Sequence, residues 1–121
     1  MRPHLLSWQW EGYDRYHRDR ANLLVHIGTA PLFVVGVVAV IASPFVGWAA
    51  LGAGLAGMAI ALVAQGRGHR REATPPEPFL GFGDFVARFV GEQLVTFPRF
   101  VVTGRWGRAA RARSDSPAAR T

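Results

Sequence analysis

One long uncharged segment limits what this chain can fold into. No Asp, Glu, Lys or Arg occurs in the 46 residues 21–66. Within this segment lie two apolar stretches of 20 residues, 23–42 and 45–64, separated by Ser43-Pro44, a pair that favours a turn. A helix of that length spans about 30 Å, the thickness of the hydrocarbon core of a bilayer. The segment therefore predicts a transmembrane hairpin of two helices.

The rest of the sequence predicts further helices and an all-α membrane protein. Gly12 separates a short N-terminal turn from a predicted helix over 13–21. Residues 79–103 are a predicted amphipathic helix, which is too charged to span as a lipid-facing helix and suits the bilayer interface. Residues 1–104 are then one membrane domain, and the Arg-, Ala- and Ser-rich residues 105–121 are a predicted disordered tail.

Residue spacing within these helices predicts which faces pack. Small residues recur every four positions in the second hairpin helix, which would allow close helix contact in lipid. They are Ala49, Ala53, Gly57 and Ala61. In the amphipathic helix, an i,i+4 ladder of charges is predicted on one face. Its members are Asp84, Arg88 and Glu92.

The charges of the chain indicate which side of the membrane its ends face. The net charge is +6, and all 14 basic residues are Arg. Arg residues flank the apolar segment on both sides, whereas its central turn carries none. By the positive-inside rule, both ends of the hairpin are predicted to lie in the cytoplasm. This rule explains the basic clusters better than nucleic-acid binding does, and the absence of Cys excludes disulfides and thiolate metal ligands.

Three histidines lie beside the two ends of the uncharged segment. If the segment folds back on itself, His17, His26 and His69 meet at one membrane face. Imidazole is the commonest protein ligand of transition metals, and ionisable groups in membrane segments are costly and mark functional sites. Because His17 and His26 would point to opposite sides of a straight helix, their convergence requires a bend. The sequence predicts a membrane-embedded metal site, although each histidine alone also fits a structural or interfacial role.

Other polar residues share helical faces with these histidines. Asn22 precedes His26 by four positions, and Gln65, His69 and Glu72 follow i, i+4, i+7 spacing. Asn22 and Gln65 are predicted to orient an imidazole from outside the ligand set. Glu72 is predicted to belong to the same outer layer, where a salt bridge to a neighbouring Arg is a simpler role than metal ligation.

Two motifs resemble those of a known family of small membrane proteins. They are Tyr16-His17-x4-Asn22-x3-His26-x-Gly28-x2-Pro31 and, after the hairpin, Gln65-x2-Gly68-His69. The resemblance covers roughly residues 13–100 and includes a downstream region with Gln93 and Pro98. The studied fungal member of this family is an iron-dependent 2-hydroxy fatty acid dioxygenase of fatty acid α-oxidation. The resemblance implies that His17, His26 and His69 are catalytic residues that hold Fe(II).

The resemblance also implies substrates and a location. O2 and a 2-hydroxy fatty acid would bind the iron, and cleavage between C1 and C2 would shorten the chain by one carbon. The acyl chain would lie in the bilayer, and the carboxylate would pair with Arg67, Arg70 or Arg71 at the cytoplasmic face. Bacterial relatives imply an integral protein of the bacterial inner membrane. Two helices alone bury little surface, which is compatible with a homodimer.

Two other functions stay open at the level of sequence. A His-ligated zinc or iron enzyme would hydrolyse or hydroxylate a lipid by different chemistry. A non-enzymatic hairpin that scaffolds the membrane, anchored by Phe82, Phe85 and Phe89, would hold no stoichiometric metal and would tolerate replacement of all three histidines.

Overall fold

The computed structural model describes residues 3–115, and their regular structure is entirely helical. In chain order the elements are α1 (Leu5–Gly12), a 3-10 turn (Tyr13–Tyr16), α2 (Arg20–Val46), α3 (Trp48–His69), α4 (Phe82–Gly91), a π turn (Glu92–Thr96), α5 (Phe97–Val102) and α6 (Arg105–Asp115). By length and composition, α2 and α3 are apolar enough to cross a membrane. The predicted all-α fold around a two-helix hairpin is confirmed.

The hairpin turns at Gly47 rather than at Ser43-Pro44, where the sequence predicted the turn. Gly47 has a φ of 117°, which residues with a side chain rarely adopt, and its N–H donates to the Ser43 carbonyl at 2.9 Å. Pro44 stays inside α2, and the carbonyl that it cannot bond, that of Val40, accepts the Ser43 hydroxyl at 2.7 Å. The helices have 27 and 22 residues, more than the 20 predicted for each, because α2 runs through Pro44 and α3 continues to His69.

The two long helices come closest at a pair of glycines. A Cβ built at Gly36 would lie 2.7 Å from the carbonyl oxygen of Gly54, and one built at Gly54 would lie 2.7 Å from that of Gly36. Any side chain at either position would therefore push the two backbones apart.

The small-residue strip predicted on α3 is only half correct. Gly57 and Ala61 are buried, but Ala49 and Ala53 are exposed. Successive residues four apart rotate by about 40° around a helix of about 3.6 residues per turn, so a strict four-residue repeat leaves the contact face. The buried face combines steps of three and four instead, and its members are Gly54, Gly57, Ala61, Gln65 and Gly68.

The chain bends before α2, as the convergence of two histidines required. The predicted helix over 13–21 is wrong, because α1 ends at Gly12 and, after a single 3-10 turn, residues 17–19 are not helical. Asp19 is the N-cap of α2, and its side chain accepts the backbone N–H of Asn22 at 3.0 Å. Asp is among the preferred N-cap residues, which explains why α2 begins at Arg20.

The prediction of a disordered tail is wrong for α6; residues 116–121 lie outside the described residues. Arg and Ala favour helix formation, and Trp106 anchors α6 on α2 through an indole N–H that donates to the Leu23 carbonyl at 2.9 Å. The helix packs on a buried apolar cluster at the open end of the hairpin. The cluster consists of Tyr13, Leu23, Ala30, Phe97 and Phe100.

The C-terminal region predicted as one helix over 79–103 is divided in the structure. It begins at Phe82, and α4 and α5 are joined by the π turn. Phe89 packs edge-on against Phe33 of α2, with 4.9 Å between ring centroids, so α4 lies beside the hairpin. Asp84 and Arg88 pair at 3.6 Å as predicted for the charge ladder, but both are buried, and Glu92 points elsewhere.

Candidate metal centre

Four side chains from four separate segments converge at the open end of the hairpin. His17 lies in the bend before α2, His26 in the second turn of α2, His69 at the end of α3 and Glu92 at the start of the π turn. Their potential ligand atoms all lie within 4.8 Å of one another. The three imidazole centroids are 4.8 to 4.9 Å apart and their planes are nearly perpendicular, at 80° to 88°. The structure thus brings together the three predicted histidines and adds a carboxylate.

Backbone hydrogen bonds fix which nitrogen of two imidazoles faces the centre. Nδ1 of His17 lies 2.8 Å from the carbonyl oxygen of Tyr13, and Nδ1 of His26 lies 2.9 Å from that of Asn22. A carbonyl oxygen only accepts, so Nδ1 carries the proton in both rings and the neutral form has its lone pair on Nε2. These Nε2 atoms lie 3.2 and 3.3 Å from the same oxygen of Glu92. A proton or a metal ion is needed between such facing lone pairs.

Two nitrogens in this centre lack hydrogen-bond partners among the described residues. They are Nε2 of His26 and Nδ1 of His69, and both are buried. The contact of His26 with Glu92 is short but does not have the geometry of a hydrogen bond. Buried polar atoms are nearly always satisfied, so an imidazole nitrogen left without a partner beside a carboxylate suits a metal ligand.

The carboxylate of Glu92 is stabilised in its charged form. Burial alone would raise its pKa, but the hydrogen bond with His17 and the close approach of His26 outweigh burial and hold the pKa well below its usual value. Tyr13 also donates its hydroxyl to Glu92 Oε1 at 2.8 Å. Burial, and then the neighbouring carboxylate, raise the pKa of Tyr13 well above its usual value, so the phenol stays a neutral donor.

A π turn places Glu92 in the centre. The N–H of Phe97 bonds to the carbonyl of Glu92, five residues back, which widens the helix by one residue at this point. Pro98 follows directly and has no N–H for the carbonyl four residues earlier, that of Leu94 within the π turn. Sequence reasoning missed Glu92 because it continued a regular helix through this turn. The sequence did offer one indication of an irregular helix, which is Pro98 shortly after Glu92 and Gln93.

Glu72 stabilises the bend that contains His17. It lies outside the group of candidate ligands, as predicted. Its carboxylate accepts the backbone N–H groups of Arg18 and Asp19 at 2.8 and 2.9 Å, and the side-chain amide of Asn22 at 2.7 Å. Asn22 in turn offers its backbone carbonyl, rather than its side chain, to His26. Glu72 therefore acts on both His17 and His26 through the backbone around them.

Gln65 has a different role from the one predicted. It contacts no imidazole through the hydrogen bonds of the structure; its amide forms two reciprocal bonds with the amide of Gln93, at 2.9 and 2.6 Å. Both side chains are buried, and Gln65 also donates to the hydroxyl of Thr29 at 3.0 Å. The pair ties α3 to the residue that follows Glu92 and so fixes the position of the π turn.

The three arginines predicted to bind a substrate carboxylate do not face the centre. Arg67, Arg70 and Arg71 are exposed, and none of them lines the cavity beside the metal-site residues. Arg71 instead pairs with Asp19 at 3.2 Å. The last turn of α3 directs His69 inwards, and the arginines beside it in the sequence lie on other faces and point outwards.

A cavity of about 300 Å³ opens beside the centre. His17, His69 and Glu92 form part of its wall, whereas His26 lies behind them. Its apolar wall includes Leu62, Phe85 and Phe89. Two arginines, Arg15 and Arg88, also contribute to it. The volume is at the lower end of the range for small-molecule sites, and it gives a ligand access to three of the four candidate metal ligands.

The donor set fits a transition metal ion. Bonds from such an ion to nitrogen or oxygen are about 2.0–2.2 Å, so two ligand atoms on one ion lie at most about 4.4 Å apart. The observed spread of up to 4.8 Å closes onto an ion with a small side-chain movement. Three neutral imidazoles and one carboxylate suit iron, zinc or nickel better than calcium or magnesium. The group of His17, His26, His69 and Glu92 could therefore hold a metal ion.

Comparison of the chain with models of protein families, with curated proteins and with solved structures gives no match.

Proposed function

We propose that the protein is a membrane-embedded Fe(II)-dependent dioxygenase that cleaves 2-hydroxy fatty acids to acids one carbon shorter. The observation that carries the proposal is the inward-facing group of three imidazoles and one carboxylate beside an open cavity. Its position at one end of two membrane-length helices would bring it to the bilayer surface, where such substrates reside. The arginines that flank the hairpin support a cytoplasmic location of this end, and the proposal places the protein in the inner membrane of a bacterium.

The proposed reaction needs no external reductant. A 2-hydroxy acid and one O2 give the shortened acid, CO2 and water, so that the four electrons leaving the substrate equal the four that O2 accepts. When bound, Fe(II) would activate O2 and bind an oxygen of the substrate at the positions that the protein ligands leave open. Iron in related non-haem oxygenases is held by two His and one carboxylate, and this centre offers one further imidazole.

The residues of the chain have separate tasks in this proposal. His17 and His26 present Nε2 inwards because the Tyr13 and Asn22 carbonyls hold their Nδ1 protons. Glu92 supplies the negative charge that partly neutralises a divalent ion, and the Tyr13 hydroxyl orients that carboxylate. The apolar cluster and the helices around the centre limit water, which favours oxidation of the bound substrate over side reactions.

The decisive experiment measures metal and turnover in the same preparations. Protein purified without O2 is analysed for metals, beside the His17→Ala, His26→Ala and His69→Ala variants. His4→Ala is the matched control, because His4 is exposed and lies outside the centre. We expect near-stoichiometric iron in wild type and in the control, loss of iron in the other three, and O2-dependent release of CO2 from 2-hydroxypalmitate. Wild-type protein that takes up no iron even after anaerobic addition of Fe(II) would refute the proposal.

A zinc-dependent lipid hydrolase is the second candidate, favoured by the same imidazole-rich donor set. Zinc in place of iron in the purified protein, with lipid cleavage that proceeds equally well with and without O2, would favour this function. A membrane scaffold would be indicated if neither metal binds.

A further inference from the structure

The wall of the cavity beside the metal centre includes two chemically different groups of side chains. The inward-facing groups His17, His69 and Glu92 form one of them. The other is apolar and consists of Leu62, two turns before His69 in α3, and of Phe85 and Phe89 of α4, which precede Glu92. A ligand that fills such a cavity needs a polar head and an apolar chain. Because about 300 Å³ admits only a head group and the first part of a chain, the remainder must leave the protein.

Gly66 provides the opening through which a chain can leave. It lies on the same face of α3 as Leu62 and His69, one turn from each, and it lines the cavity. Space around it is open, since no atom lies within 4 Å of where its Cβ would be. Gly66 therefore leaves a gap in the cavity wall, on a helix that is apolar enough to cross a membrane.

Arg15 is the cation of the cavity that is free to bind an anionic head. The other cation, Arg88, donates to the carbonyls of Glu77 and Pro78 at 2.9 and 3.2 Å and pairs with Asp84. Arg15 is exposed at the cavity and rests on the ring of Tyr16, 5.6 Å from its centroid. Within the described chain it pairs with no carboxylate.

We propose, resting on the function proposed above, that Arg15 and Gly66 determine how the acid lies in this cavity. The carboxylate end lies between Arg15 and the metal centre, and the acyl chain leaves past Gly66 between α3 and α4. Gly66 is then a residue that determines specificity for long chains, and Arg15 positions the head. The three exposed arginines 67, 70 and 71 have no part in head-group binding.

Binding can be tested independently of turnover by photo-crosslinking. The probe is a 2-hydroxy fatty acid with a diazirine in mid-chain, applied without O2 to protein in lipid nanodiscs, and labelled peptides are located by mass spectrometry. We expect label on 62–69 and 85–89, and competition by unlabelled 2-hydroxypalmitate. Gly66→Phe should lower this labelling by at least about tenfold, because the added ring would fill the opening. Gly52→Phe is the matched control, since Gly52 is equally open on the same helix but lies far from the cavity.

The head-group end is tested by a second pair of variants. Arg15→Gln should weaken competition by 2-hydroxypalmitate by about tenfold, while Arg67→Gln should leave it unchanged. Equal effects of the two variants in either pair, or competition by an anionic phospholipid but not by the single-chain acid, would overturn the proposal.

These outcomes are separate from the fate of the proposed reaction. Labelling at the expected peptides without any turnover would remove the dioxygenase function and leave the binding proposal intact. Turnover of 2-hydroxypalmitate that is insensitive to Gly66→Phe would do the reverse.

Discussion

The two halves of the hairpin are built from the same kind of helix but have opposite surroundings. Toward the open end, Asn22 and His26 of α2 are fully buried, and Gln65 of α3 is 2% exposed. Toward the turn, Ile41 and Phe45 are 69% and 89% exposed. In a bilayer the turn half would be covered by lipid alone, while the open half is covered by the N- and C-terminal segments of the chain. The candidate metal centre therefore lies in the half where protein, rather than lipid, surrounds the polar side chains.

The largest effect is expected from Glu92→Gln, which keeps the shape of the side chain but removes its charge. If Glu92 is a metal ligand, the affinity for the metal should fall by at least about a hundredfold. Loss of a residue that only hydrogen-bonds to a ligand typically costs up to about that much. Affinity is measured by competition with a chelator of known strength. Glu11→Gln is the control, because Glu11 is an exposed acid at the same cavity. Equal affinity in both variants would mean that the carboxylate is no ligand.

A pair of neighbouring glycines tests how tightly the open half is packed. A methyl group at Gly68 would collide with the side-chain oxygen of Asn22, whereas one at Gly66 would meet no atom within 4 Å. We expect Gly68→Ala to lower the free energy of unfolding in micelles by about 2 kcal/mol. Gly66→Ala should be neutral or should stabilise the helix by up to about 1 kcal/mol. A similar result for both variants would contradict the close approach of α3 to Asn22.

A smaller effect is expected from Glu72→Gln, which acts only through other residues. The amide would lose charge-assisted bonds to the backbone of Arg18 and Asp19 and would turn a donor toward one of these N–H groups. Metal affinity should fall by about tenfold. Glu11→Gln again serves as the control in the same chelator titration. A loss as large as that of Glu92→Gln would instead place Glu72 among the ligands.

The smallest effect is expected in the turn half. Phe45→Ala should change the free energy of unfolding by less than about 0.5 kcal/mol and leave metal content unchanged, because lipid replaces the ring contacts. Phe100→Ala, at a fully buried ring of the apolar cluster, is the reference and should cost about 3–5 kcal/mol. A comparable loss at Phe45 would show that the turn half is covered by protein, as in a homodimer.

The open half also shows which features could be predicted from the sequence. The hairpin follows from an uncharged segment of membrane length, and the convergence of His17, His26 and His69 follows from their positions at its ends. The bend between the first two was required by geometry, and Asp19 as an N-cap supplies it. These signals are local, so they can be detected without knowledge of the packing.

Features that depend on packing were not predicted. Glu92 reaches the centre only because a π turn changes the helical register, and the Gln65–Gln93 pair joins residues 28 positions apart. The directions of Arg67, Arg70 and Arg71 depend on which face of α3 is turned inwards by His69. The turn at Gly47 depended on a substitute hydrogen bond from Ser43 that lets Pro44 remain helical. In each case the structure departs from a regular helical pattern because of a contact that the local sequence does not indicate.

The candidate ligands of the centre are separated by as many as 75 residues, between His17 and Glu92, and this spacing determines when the centre can be completed. During synthesis, both long helices and all three histidines leave the ribosome before Glu92 does. The hairpin can enter the membrane at that stage, but its pocket for an ion is incomplete. If the centre holds a metal ion, its full ligand set therefore forms only after the hairpin has been made, and a nascent chain stalled after the hairpin would lack the carboxylate.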